Sequence, residues 1–260
     1  MRRAPLLLAG LLLVLVLGAC GSDDDPPPEE SGTTTTEADG TTTTETDDTT
    51  TTDDGSSTTD GTPTTIDPAD LPGEEIDIYP YEGAELSVVG VAADDTLNVR
   101  VGPGTDFDVV TELDPLADGL VATGHNRSID DGSAFWSEVE VDGKVGWVNR
   151  RFVSELTGTT DVTSQLPQGL EGETMDDLAD AVAEARAGVD EGPAPEVTVV
   201  DGPSTGDLGE ITVDLIGYQD DAITGERLHV FGTPSGDGFV LKTVEATTMC
   251  TRGVNEGLCV

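Results

Sequence analysis

The sequence predicts a mainly β protein with one small α+β unit toward its C-terminus, and three observations lead there. Leu97, Val99 and Val101 alternate with Thr96, Asn98 and Arg100, the period of two that a half-buried strand requires. Phe135 to Val148 reads as a hairpin, with Asp142-Gly143 as a tight turn between two valine-bearing arms. Beyond residue 174 one helical pattern precedes four strand-like runs, as expected of a helix laid on an antiparallel sheet.

At 260 residues the chain is long enough for one or two domains. Residues 1–20 carry Arg2 and Arg3, an apolar run from Pro5 to Val16, and small residues closing on Cys20. Leu17-Gly18-Ala19-Cys20 resembles a lipoprotein signal sequence, which implies lipidation at Cys20 and a place at the extracytoplasmic face of the cell membrane. A plain secretory signal cleaved after Ala19, or an uncleaved anchor, is the competing reading. From residue 21 to 75 threonine runs are broken by Asp, Glu, Pro and Gly, and no Lys or Arg occurs between Arg3 and Arg100. Like charge with almost no large apolar side chains cannot offset the entropy of ordering, so this stretch is expected to be a disordered tether. As a flexible coil of about 55 residues it would span roughly 40 Å.

Leu86–Val91 is expected to open a β unit, followed by the strand at Leu97. Gly102-Pro103-Gly104 stops that strand, because Pro103 cannot donate to a ladder. Phe107–Leu113 and Leu120–Thr123 are the next candidates, and 124–134 reads as a long polar loop. In the hairpin that follows, Val139, Val141 and Val148 are assigned to the core. Trp147, after Gly146, is assigned to an exposed face.

Leu97 to Gly104 and Trp136 to Val148, in that order, resemble the opening and closing signatures of the bacterial SH3-like domain. The resemblance covers roughly residues 82–156. It implies a small β-barrel over 76–156 that binds peptidoglycan or another envelope component. The loop at 124–134 is longer than the family's. Asn98, Arg100, Phe135, Trp136 and Trp147 are the candidate ligand-binding residues, since aromatic area with a few fixed polar groups suits peptide or sugar–peptide ligands.

Residues 157–173, with Gly158, Pro167, Gly169 and Gly172, read as a linker to a small α+β domain over 174–260. Thr174 is an N-cap with Asp177 placed as in a capping box. Met175, Leu178, Ala179, Val182 and Ala185 share one helical face, and Gly188 ends the helix. Strand-like runs follow at Val197–Val200, Ile211–Tyr218, Arg227–Phe231 and Phe239–Thr248.

The net charge of −42, from 53 acids against 11 bases, excludes nucleic acid as a partner and resists anionic polymers at long range. With Cys20 consumed by lipid, Cys250 and Cys259 remain as an even pair, and outside the cytoplasm a disulfide is expected. A catalytic thiol is the rival reading. Both histidines, His125 and His229, precede these cysteines, and neither cysteine opens a helical pattern, so no catalytic residue is assigned. Two histidines about a hundred residues apart do not make a zinc site, and no metal or cofactor is expected. Two alternatives stay open: a wall-remodelling enzyme using the C-terminal domain, and a structural accessory of a membrane complex.

Overall fold

A computed structural model describes residues 66–188 and 193–260. The signal segment, Cys20 and the tether as far as residue 65 lie outside the described residues. The chain is mainly β: β1 (Glu74–Glu75), β2 (Glu85–Val88), β3 (Leu97–Arg100), β4 (Val109–Leu113), β5 (Leu120–Ile129), β6 (Ala134–Val141), β7 (Lys144–Asn149) and β8 (Val153–Leu156) come first. Then come β9 (Thr160–Asp161), β10 (Glu171–Gly172), the helix α1 (Met175–Ala187), β11 (Glu196–Thr205), β12 (Gly209–Ile216), β13 (Ile223–Ser235) and β14 (Gly238–Cys250). A final small hairpin pairs β15 (Val254–Asn255) with β16 (Leu258–Cys259).

One antiparallel sheet runs in the order β11-β12-β13-β14-β8-β2-β5-β6-β7-β3-β4 and does not close on itself, so the expected closed barrel is not seen. It curls around two separate cores. The first gathers Leu86, Val88, Leu97, Val99, Leu120, Val139, Val141 and Val148. Val139, Val141 and Val148 are therefore core residues, as the hairpin alternation predicts.

The second core packs α1 onto β12–β14 through Met175, Leu178, Ala179 and Val182 against Ile211, Val213, Leu228 and Val244. Thr174 and Asp177 form the capping box and Gly188 is the C-cap. The stretch 157–173, expected as a linker, is instead part of this layer. β9 and β10 pair with β14, and Val162 and Leu166 are buried in the second core.

The loop expected at 124–134 is also corrected. β5 and β6 continue as a ladder from Asn126↔Ser137 to Ile129↔Ala134, which leaves only the turn between Ile129 and Ala134. Buried Asn126 allows this, since its amide donates to the carbonyls of Ile78 and Pro80 while its oxygen accepts from Ser137 Oγ at 2.6 Å. A polar residue so satisfied can occupy a core position of a strand.

The two cores are joined by side chains as well as by the β8–β14 pairing. Arg227 donates to both oxygens of Asp214, through Nε at 2.7 Å and Nη2 at 2.8 Å, and Nη2 also reaches the Val88 carbonyl. Gly90 N–H donates to the same carboxylate at 2.8 Å. Cys250 and Cys259 form the expected disulfide, with Cα atoms 5.1 Å apart, tying the last hairpin to the end of β14.

Candidate functional site

The site is built on the face of β5–β6–β7 that points away from the first core. Trp147 stands opposite Arg100 of β3 and Glu138 of β6, while Trp136 stands opposite Arg127 of β5 and Asn149 of β7. Alternation then places Trp136, Glu138, Trp147, Asn149, Arg127 and Arg100 on one face. Thr123 Oγ1 donates to Glu138 at 2.7 Å and holds that carboxylate in place. Arg100 Nη1 donates to the Phe107 carbonyl at 2.7 Å, fixing the turn that follows β3.

Over this face lies a strap, residues 66–73. Asp67 caps the single 3-10 turn Pro68–Asp70, with its side chain accepting from Ala69 N–H at 2.9 Å. The Arg127 guanidinium faces four strap carbonyls: Pro68 and Leu71 at 2.8 Å, Pro72 at 3.0 Å and Gly73 at 3.1 Å. Gly73 has φ of +75°, and a Cβ there would run into the Ser128 carbonyl, so the close approach of strap to β5 requires glycine. Glu75 of β1 pairs with Arg127 in register and lies 3.6 Å from His125 Nδ1. Residues 66–75, expected as the end of the tether, are thus held against β5.

Between strap and sheet is a cavity of about 420 Å³. Ile66, Pro68 and Leu71 line it from the strap, and Val101, Val145 and Trp147 from the sheet. Arg127, His125, Glu75 and Glu138 supply its charged and polar groups. Trp147 is only 4% exposed, which corrects the expectation of an open ligand face. Its ring forms a cavity wall beneath the strap rather than a surface.

Of the five candidate residues, Trp147 alone lines this cavity. Arg100 is its partner in register, and Trp136, also 4% exposed, occupies the neighbouring row. Asn98 lies farther along β3, opposite Glu112. Phe135 alternates to the other face of β6, where it lines a second cavity of about 370 Å³ with Tyr79, Arg150 and Thr251. In that second cavity Arg150 donates to the carbonyls of Tyr79 and Thr251, and burial lowers its pKa. Burial, reinforced by the hydrogen bond to Glu155, raises the pKa of the Tyr79 hydroxyl.

Arg127 and the strap are the features the sequence reading missed. The available signal was the run Ile66-Asp67-Pro68-Ala69-Asp70-Leu71-Pro72-Gly73, where apolar residues and prolines interrupt a threonine-rich tract. Comparison of the chain with protein-family models, with curated proteins and with solved structures returns no match.

Proposed function

We propose that this chain is a lipid-anchored, non-catalytic protein of the cell envelope that binds peptidoglycan or another envelope component. In this reading residues 76–156 form an SH3-like module, and residues 174–260 form a small α+β domain closed by the disulfide. Cys20 carries the lipid and the acidic tract holds the folded part away from the membrane. The observation that supports binding is the cavity beside Trp147, where apolar Val101 and Val145 meet a few placed polar groups, Arg127 and Glu138 among them. That mixture is what concave ligand sites use. The net charge of −42 offers no long-range attraction to anionic wall polymers, so short-range contact at the indole has to carry the interaction.

The test is retention of the soluble chain from residue 21 onward on purified wall material. Trp147→Ala should reduce retention about thirtyfold, corresponding to about 2 kcal/mol at a buried aromatic anchor. Val145 is 43% exposed, so Val145→Asp probes the same cavity without touching a core. It should weaken retention while leaving the melting transition in place. No retention of the unaltered chain would remove the wall-binding reading in favour of a structural accessory.

A further inference from the structure

The Arg127 guanidinium is a strong, always-charged donor in a chain with 53 acids, yet among the described residues it pairs with no carboxylate. Arg151, Arg186, Arg227 and Arg252 each do, and Arg100 and Arg150 donate to carbonyls of separate segments, whereas Arg127 reaches four carbonyls of one short stretch. Arg127 is spent instead on the main chain of residues 68–73. Carbonyls that converge at the end of a short helical turn are acceptors without intrahelical partners, and a guanidinium is the side chain suited to collect several at once. Such recognition reads backbone shape, which any peptide of the same turn could present.

The apolar side of the contact has the same character. Ile66, Pro68 and Leu71 project to a cavity whose far wall is Val101, Val145 and Trp147, and they leave about 420 Å³ between the two. The strap therefore covers the indole without filling the space beside it.

We propose that the Arg127–Trp147 face is a site for a proline-containing peptide turn, and that residues 66–73 occupy it as the chain's own ligand. This rests on the reading above that the face is a binding surface, and it narrows the ligand from envelope components in general to a peptide. An external partner must present a turn of this kind and displace the strap. Because the strap is covalently attached, it competes at an effective concentration on the order of millimolar. The intact chain is thus held in a closed form, and its apparent affinity for a free peptide is reduced by the fraction of time the strap is away.

Both tryptophans of the chain, Trp136 and Trp147, lie on this face, so indole emission reports its occupancy. The soluble chain from residue 21 onward is titrated with a synthetic peptide spanning residues 64–75. The unaltered chain should bind it only in the millimolar range. Leu71→Asp changes the strap and leaves the face intact; it should shift emission to the red and bind the free peptide at least tenfold more tightly, with emission returning to its original wavelength. Equal affinity in the two chains, or no binding by either, overturns the proposal.

Adding Arg127→Ala to Leu71→Asp should abolish peptide binding, and unchanged affinity there overturns it as well. If Leu71→Asp lacks a cooperative melting transition, the Pro68→Ala/Pro72→Ala chain takes its place under the same criteria. Purified wall polymer serves as a second titrant. Peptide binding without polymer binding would leave this proposal standing and remove the wall-binding reading. Polymer binding without peptide binding would do the reverse.

Discussion

Replacing Arg227 with methionine strands the Asp214 carboxylate where the two cores meet. The Asp214 side chain is 0% exposed and accepts three hydrogen bonds, two from Arg227 and one from Gly90 N–H. Arg227→Met removes two of the three and the compensating charge, which costs about 3–5 kcal/mol for a buried pair broken from one side. Against a total stability of about 5–15 kcal/mol for a chain of ordinary size, that is a fifth or more. The double variant Asp214→Leu/Arg227→Met removes both charges. It removes the acceptor of the Gly90 N–H and one donor to the Val88 carbonyl, at about 1–3 kcal/mol each. Its loss should therefore fall well short of the sum of the single substitutions, a coupling of several kcal/mol. Urea unfolding followed by circular dichroism measures all four chains. A single-variant loss under about 1 kcal/mol would refute the reasoning. So would an unaltered chain that unfolds in two separate steps, since the pair would then not be joining the cores.

Cys250→Ser/Cys259→Ser should lower stability by about 3 kcal/mol on the chain-entropy account of a short closed loop, and peptide mapping of the non-reduced protein should recover the pair linked. Gly146→Ala should cost about 1–3 kcal/mol in thermal melts, because a Cβ there would sit 2.7 Å from Val99 Cγ1 and 2.8 Å from the Arg100 carbonyl. The pH profile should fall at both ends. Asp161, bound by the hydroxyl and amide of Thr163, and Asp220, bound by the amides of Ala222 and Ile223, titrate below their ordinary 3.8 in the folded chain, so their contribution is present above that value and disappears as pH falls through the lowered one. Tyr79 and Tyr218 are raised above 10.0, chiefly by burial, so stability declines as pH rises past 10.0 toward their folded-state values. Melting temperature against pH shows both limbs, and Tyr79→Phe should flatten the alkaline one.

What the sequence disclosed were features whose cause is local. The alternation around Leu97, the Asp142-Gly143 turn, the Thr174 capping box and the valines of the first core each depend on residues a few positions apart. The stretch 157–173 has the three glycines and the proline of a linker, and its order comes from β14, which lies far along the chain. The extended β5–β6 ladder has the same origin, since Asn126 looks like a loop residue until Ile78 and Pro80 supply its acceptors. For the site, Trp147 and its cross-strand neighbour Arg100 were legible from alternation. Phe135, a candidate for its aromatic area alone, lies on the other face of β6, where the period of two puts it. Arg127 could not be found at all, because its partners are backbone carbonyls, which carry no side-chain signature.

The pairing of β8 with β14 also sets an order of events in folding. Ser154 Oγ donates to the Cys250 carbonyl across 96 residues, and Arg227 reaches Val88 across 139. Such distant contacts return nothing until the loop between them closes, which places them late. At a synthesis rate of about 5–20 residues per second, the β8 edge exists for roughly 5–20 s before its neighbour strand does. During that interval the first core has an unpaired strand edge, open to any other chain that offers a strand. A chain truncated before β14 would keep that edge permanently, and aggregation rather than simple loss of the second core is the expected fate.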